Sequence, residues 1–501
     1  MAIAEFISDI NNSWKTIKYG IGQSANASGD NAREFEIKKL LLTTSDGKTT
    51  YNIEDMILDF QYHESIESSF LRCDISILDS IDFNLQLFGG EEIEIQMVTS
   101  TSFDGVELHT KLTVYKIGSI LKTERGQLYI LHCVSPEMYH DEGNKVFKCF
   151  GPGEKSKDVD NIPKYICEEY LKCKGGKKVG KDNFENHSPY TFISCSWKPS
   201  DAIAFLSDKV TRLTGSKGDS KQSGFLFWEN GNGFNFRSID SIAQGEATQG
   251  GIYEYTYVQG AQEGVNKYYS IESLTYPDKA NHLSNMRLGT YKTSAIGISL
   301  ASQKDSFAPV SGAKNEAPEA GDGESVVGGE TVSATSGTGL ADKPGGTISD
   351  LKVLDFNMVF GKADTVENEP PFPIPEFFDL KKAKPTRMKI RALPGMKNQT
   401  SNANVNNGTN PNVDTMAVAQ YASARYNLFK AIKLDLVIPG NTSLTAGNLI
   451  KVRIPSSKEE GDNVELDRRF SGKYIIAGLT HIYKKTGLTT KLYLVRDSIP
   501  K

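Results

Sequence analysis

The sequence predicts a mainly β protein in which one small antiparallel unit of barrel type occurs twice, with an α+β domain set between the copies. Three observations lead there. Apolar residues alternate with polar ones at Ile432, Leu434, Leu436 and Ile438, and again at Ile450, Val452 and Ile454. Period two marks a strand with one buried face. The breaks between these runs carry Pro439-Gly440, Gly447-Asn448, Ser471-Gly472 and Gly487, residues that preset or permit turn geometry. The whole pattern then recurs near the other end of the chain, in the same order.

The recurrence has three blocks. Leu71–Ile77 sets against Ile432–Ile438. Leu87–Met97 sets against Leu444–Ile454. The segment opening at Leu112, with Ile117, Ile120 and Leu128–Ser135, sets against the segment opening at Tyr474, with Leu479, Ile482 and Leu492–Ser498. Asp74 thereby falls against Asp435, Gly90 against Gly447 and Ile93 against Ile450, with Tyr474 opening the third block. These seven residues are the structural signature of the repeat. Length changes are confined to turns, as expected if the core faces repeat and the connections vary.

Taken in order, residues 1–32 hold a short helix and a polar linker. Ile3, Ile7, Ile10, Trp14 and Ile17 have heptad-like spacing; such a stripe either packs on its own domain or docks a neighbouring subunit. Residues 33–135 form the first barrel, with strands expected at Phe35–Leu42, Met56–Tyr62, Phe70–Leu78, Ile93–Thr99, Leu112–Leu121 and Gln127–Val134, and a turn at Glu124–Gly126. Residues 136–250 form the α+β domain. Val159, Ile162, Ile166 and Tyr170 mark one helix with Pro163 in its first turn. A second is expected to be capped by Ser200, to bury Ile203, Leu206, Val210 and Leu213, and to end at Gly215. A hairpin with aromatics on both arms turns at Asn230–Gly233.

Residues 251–300 are Tyr-rich, with Tyr253–Tyr257 and Tyr268–Tyr269 placed on strands leading to the second barrel. Residues 301–349 are Gly, Ser, Ala, Thr, Glu and Pro with almost no large apolar side chain, too little to offset the entropy of ordering, and read as a mobile loop. Residues 350–501 form the second barrel. It opens with a strand at Leu351–Phe360, passes a Pro-rich extended stretch at Pro370–Pro375 and an Asn-rich loop at Pro394–Pro411, and includes a helix through Val413, Met416, Ala417, Ala424 and Leu428.

A chain of 501 residues exceeds one ordinary core and suggests about three domains. Its net charge of −5 argues against binding nucleic acid through a strongly basic surface. The six cysteines make no CxxC pair and read as reduced thiols in a cytoplasm. The N-terminus lacks a basic segment followed by an apolar core, so no signal peptide is expected. No apolar run approaches about 18 residues, so no transmembrane helix is expected either.

Catalytic and metal signatures were sought and none emerged. Gly175–Lys181 approaches a phosphate-binding loop, but Asp182 stands where the Mg²⁺-binding hydroxyl belongs, and a helix precedes it instead of a strand. GxSxG and HExxH do not occur. The seven histidines include no i, i+4 pair. His187 with Cys167, Cys173 and Cys195 matches no zinc spacing, and His481, in a strand, suits a structural hydrogen bond. Glu168-Glu169 sit on the solvent side of a helix, not across a cleft as glycoside hydrolysis needs. The reading is a non-enzyme without cofactor or metal.

The run Leu444-x-x-Gly447-Asn448-x-Ile450-x-Val452, a charged loop, Ser471-Gly-x-Tyr474-x-Ile476, His481 and Leu492-Tyr-Leu-x-Arg496-Asp-Ser498 resembles the baseplate hub subunit of contractile-tailed bacteriophages. It is also similar to the late control protein D family and to the hub part of type VI secretion spike proteins. Trp197-x-Pro-Ser-Asp-Ala-Ile203, the helix, the aromatic hairpin and Phe236-x-Ser-Ile-Asp240 resemble the middle of the same family.

The resemblance implies two tail-tube-like barrels per chain and a homotrimer, a pseudo-sixfold ring joining a trimeric cell-puncturing spike to a hexameric tail tube. The implied partners are tail tube protein, central spike protein and baseplate wedge proteins. DNA would pass through a polar and acidic bore without specific binding, and the location would be the virion baseplate, assembled in the host cytoplasm. The competing readings are a type VI or other contractile injection hub, a hub-associated cell-wall hydrolase, and a glycan-binding protein built on the Tyr253–Tyr269 segment. The symmetry argument requires Phe35–Val134 and Leu351–Arg496 to share a topology.

Overall fold

The computed structural model describes residues 33–80, 83, 87–102, 106–123, 126–151, 161–173, 179–214, 217–248, 251–258, 267–277, 281–288, 292–299, 330–335, 368–369, 387–393, 415–456, 466–497 and 499–500. The N-terminal helix, the strand at Leu351–Phe360, the Pro-rich and Asn-rich stretches, and residues 175–178 of the glycine–lysine run lie outside the described residues.

Seven strands open the chain: β1 Phe35–Thr43, β2 Thr50–Asn52, β3 Ile57–Ser65, β4 Arg72–Asp79, β5 Glu92–Thr99, β6 Leu108–Thr123 and β7 Gly126–Val134. Along β4 and β5 buried and partly exposed residues alternate nearly without exception, as the period-two pattern requires. Ile75, Ile77, Ile93, Ile95, Leu112 and Leu131 fill the first core.

The middle domain follows, with α1 Glu137–Gly143, β8 Val146–Phe150, α2 Ile162–Glu169, β9 Phe192–Trp197, α3 Pro199–Ser207, β10 Thr211–Thr214, β11 Lys217–Ser223, β12 Phe225–Asn230, β13 Gly233–Ser238 and α4 Ile239–Ala243. Asn161 caps α2 by accepting the Lys164 N–H at 3.1 Å. The hairpin β12–β13 turns with Asn230 facing Gly233, and its aromatics bury Phe225, Trp228, Phe234 and Phe236 completely.

Two expectations for α3 are corrected. Ser200 is not its cap: the helix begins at Pro199, and Ser200 instead donates its N–H and hydroxyl to the Asp141 carboxylate at 2.7 and 2.8 Å. The helix also stops at Ser207. Val210 is buried just past its end, and Leu213 lies in β10, where Thr211 pairs with Ser223 of β11. The apolar spacing continued past the helix because Val210, just beyond its end, packs in the same core, while Leu213 is only half-buried.

The remainder comprises β14 Tyr253–Tyr257, β15 Ser270–Ile271, β16 Ser273–Thr275, α5 His282–Leu288, β17 Lys292–Ser299, β18 Glu330–Thr335, β19 Asn368–Glu369, β20 Arg387–Leu393, α6 Thr415–Leu428, β21 Ile432–Pro439, β22 Leu449–Arg453, β23 Gly472–Lys484, β24 Gly487–Arg496 and β25 Ile499–Pro500. Tyr268 and Tyr269 fall in a 3₁₀ turn, not on a strand. Residues 301–349 are not wholly without strand, since Glu330–Thr335 pairs antiparallel with β17. Its β-branched Thr331, Val332 and Thr335 suit an edge whose backbone bonds stand in for a buried face.

Two closed barrels were expected; among the described residues none is found. Fourteen strands of both regions form one mixed sheet, in the order β15-β14-β22-β23-β3-β4-β7-β6-β5-β1-β2, with β24 joining β23 to β21 and β21 carrying β16. The junction is β23 on β3, in register from Gly478 opposite Ser65 to Lys484 opposite Asp59. The first region therefore shares its edge with the second, and β3 from Asp59 to Ser65 is paired on its β23 side. Tyr483 extends across the junction and stacks on Phe60 with ring centroids 4.8 Å apart.

Candidate assembly interface

Two sets of strands match. In the first region the antiparallel order is β4-β7-β6-β5, with β3 on the far side of β4. In the second it is β21-β24-β23-β22, with β16 on the far side of β21. Asp74 faces His132 and Asp435 faces Tyr493. Ile93 faces Leu112 and Ile450 faces Tyr474. Each long strand carries a one-residue bulge at the same place, Tyr115 between Val114 and Lys116, and Ala477 between Ile476 and Gly478. Register is what a burying sheet specifies most strongly.

The loops before β5 and β22 match too. Gly90 and Gly447 sit at φ +91° and +94°, conformations that glycine adopts without steric penalty. The Gly90 N–H donates to the Val114 carbonyl at 2.7 Å, and the Gly447 N–H donates to the Ile476 carbonyl at 2.9 Å. The return bonds, Val114 N–H to the Glu91 carbonyl and Ile476 N–H to the Asn448 carbonyl, are both 2.9 Å. Asp74 and Asp435, Gly90 and Gly447, Ile93 and Ile450, and Leu112 and Tyr474 thus hold matching register positions within one sheet.

Two correspondences read from the sequence are displaced. Leu121, not Ile120, stands where Ile482 does, and of Leu492-Tyr493, matched by letter to Leu128-Tyr129, Leu492 occupies the place of Leu131 and Tyr493 that of His132. The letters agree and the faces do not: Tyr129 is buried while Tyr493 is exposed. The two regions differ also at the outer edge, where β1 lies antiparallel to β5 but β14 lies parallel to β22.

Three segments meet where β23 joins β3. The Glu64 carboxylate, on β3, accepts the Tyr62 hydroxyl at 2.8 Å, the Gly231 N–H of the hairpin turn at 2.7 Å and the Ala446 N–H at 2.8 Å. Trp228 and Asn230 both donate to the Ala446 carbonyl at 3.1 Å. Glu64 is fully enclosed, and burial pushes its carboxyl up to about 7 against the opposing pull of those three donors. Nearby, Glu229 accepts the Ser135 hydroxyl at 2.5 Å and the Leu71 N–H at 3.2 Å. Ile66, Trp228, Ile242, Phe429, Ala446 and Ala477 form a shared core around the joint. None of these junction residues was singled out from sequence. The signal was present in the block comparison, where Thr445 and Ala477 stand against the larger Phe88 and Tyr115.

His481 is enclosed, bonds Thr490 through Nδ1 at 2.8 Å, and burial pulls its imidazole down to about 4, a structural role. Cys167 and Cys173 are buried in the middle core whereas Cys195 is exposed. Tyr253 and Tyr255 are buried, with Tyr255 accepting from Asn441 at 3.0 Å, while Tyr257, Tyr268 and Tyr269 are half-buried. Among the described residues no group of His, Cys, Asp and Glu could hold a metal, and no helix is long and apolar enough to cross a membrane.

No protein-family model and no curated protein matches the sequence. The chain is structurally similar to phage tail proteins and to a type VI secretion component. A tail protein from Neisseria meningitidis aligns over 92% of this chain and 97% of its own, at 8% identity and TM-score 0.47. The 43 kDa tail protein of prophage MuSo2 from Shewanella oneidensis aligns over 93% and 99%, at 10% identity and TM-score 0.44. An Escherichia coli type VI secretion component, described as structurally similar to the T4 tail proteins gp27 and gp5, aligns over 92% and 76%, at 9% identity and TM-score 0.35.

Proposed function

We propose that this chain is a structural hub subunit of a contractile tail, working as a ring of three copies. The observation that carries the reading is the matched register of β3–β7 and β16, β21–β24, down to the shared bulge and loop hydrogen bonds. A chain that holds one β unit twice presents six equivalent units when three copies close around an axis. Such a ring meets a threefold partner through whole chains and a sixfold partner through units. The partners that suit it are a trimeric spike on one side and a hexameric tube on the other, with baseplate wedge proteins outside, in the virion tail.

The uncovered face of the sheet would line the bore. It carries Arg72 and Asp74 in one unit and Lys433 and Asp435 in the corresponding places of the other. Six units would set a ring of bases beside a ring of acids. The expected acidic lining becomes a mixed one, still without the continuous basic track that holds nucleic acid.

Light scattering on the purified full chain tests the reading: a mass three times 55.1 kDa is expected, and a single-chain mass at all concentrations refutes it. The ring should also bind hexameric tube protein in a three-to-six chain ratio.

A further inference from the structure

The two units treat one surface in opposite ways. In the second unit the loop at Thr445, the bulge at Ala477 and the late half of β23 are covered by β3 and the hairpin of the same chain. Thr445 and Ala477 are each only 7% exposed and Tyr483 5%, and the Ala477 carbonyl accepts the Ile66 N–H at 2.9 Å. In the first unit no described strand covers the same surface, which carries larger apolar groups. Phe88, in the place of Thr445, is 85% exposed, and Tyr115, in the place of Ala477, is 49% exposed. Leu121 stands where Ile482 does and is 57% exposed. Beyond Ile117 no described strand pairs with the outer edge of β6. The Phe88 loop is prebuilt: the buried Glu91 carboxylate accepts the Phe88 N–H at 2.8 Å and the Gly89 N–H at 3.1 Å. In the second unit the corresponding N–H, that of Ala446, goes to Glu64 across the junction.

The complementary edge is on the page as well. β16 takes the place of β3, and its side away from β21 has no described strand partner. We propose that the Phe88–Tyr115–Leu121 surface of one copy receives the β16 edge of a second copy, repeating between chains the β3–β23 junction found within one. This rests on the ring reading above and gives it an address. Ile482 faces Gln61 in the internal junction, and Thr275 occupies the place of Gln61, since both face the signature aspartates. Leu121 of one copy therefore lies opposite Thr275 of the next. Ser119, at φ +55°, accommodates an extra residue in β6 just before this contact. A head-to-tail contact of this kind closes into a ring when its rotation repeats that of the internal junction. It also covers an apolar strand edge that would otherwise invite aggregation.

Two experiments on the full chain decide it. With exposed Cys149 and Cys195 changed to Ser, Leu121→Cys and Thr275→Cys introduced together should give, on mild oxidation, covalent species of two and three chains and none larger. Each substitution alone should give no three-chain species. Separately, Phe88→Ser with Tyr115→Ser should lower the light-scattering mass from three chains to one, while circular dichroism and the melting temperature of the monomer show a folded chain. A wild-type trimer that survives the double serine change, with no cross-linked ladder, overturns this contact and leaves the ring reading standing. A wild-type monomer overturns both.

Discussion

The first β unit and the second are built on one register and end in different circumstances. They agree in the pairing of four strands, in the bulges at Tyr115 and Ala477 and in the glycines at 90 and 447, yet the second is enclosed by its own chain where the first, among the described residues, is open. The difference teaches that the fold of a unit and the fate of its edge are separate properties. Fold follows from which residues alternate toward the core. Edge fate follows from what else the chain places alongside.

The comparison can be broken at its glycines, where the largest effect is expected. A Cβ on Gly447 would lie 2.7 Å from the Trp228 ring, whereas on Gly90 its nearest neighbour is Ser45 Cβ at 3.7 Å. Both substitutions to Ala incur positive-φ strain of about 1–3 kcal/mol, and only Gly447→Ala adds overpacking of about 1–3 kcal/mol. Urea unfolding should show Gly447→Ala more destabilising by about 2 kcal/mol. Equal losses would mean that the junction does not press on the loop.

Of comparable size is a pH effect confined to the covered unit. Burial raises the Glu64 carboxyl from 4.5 to about 7 in the folded chain, so the folded state holds the proton more tightly than the unfolded one. The associated stability is fully present below about pH 4.5 and is lost as pH rises through about 7. The shift corresponds to roughly 3 kcal/mol at most. Unfolding free energy measured between pH 4.5 and 8 should therefore carry a falling component that Glu64→Gln removes. A Glu64→Gln profile with the wild-type slope would assign the effect elsewhere.

The smallest difference lies on the uncovered face. Asp74 meets His132 at 2.6 Å, while Asp435 faces Tyr493 and is pushed up chiefly by burial. Asp74→Asn should cost no more than about 1 kcal/mol, since the carboxylate is half exposed. Asp435→Asn should be neutral or slightly stabilising by thermal melting. A larger loss at Asp435 than at Asp74 would reverse the assignment of which acid is paired.

Much of this was legible before any coordinates. Strands β1 and β3–β7, the four strands after Ala431 and the aromatic hairpin are readable because alternation and turn chemistry are local. Where the reading slipped, a local signal served two purposes. Val210 and Leu213 continue the spacing of α3 although the first lies past the helix end in the same core and the second is a half-buried strand residue. Leu128-Tyr129 matched Leu492-Tyr493 by letter, and only burial showed that their faces are opposed. Glu64 and Trp228 were passed over because their partners, Ala446 above all, lie hundreds of residues away.

What the sequence alone determined is that this chain makes one β pattern twice, because the spacing of apolar residues and the placement of Gly447 and Gly90 are written within short stretches. Tertiary structure decided that the two copies share a single sheet through β3 and β23, and that among the described residues no barrel closes and one edge is covered while its counterpart is not. Strand pairing between distant segments depends on which unsatisfied backbone edges and apolar faces meet after each unit has formed, and no local pattern encodes that meeting.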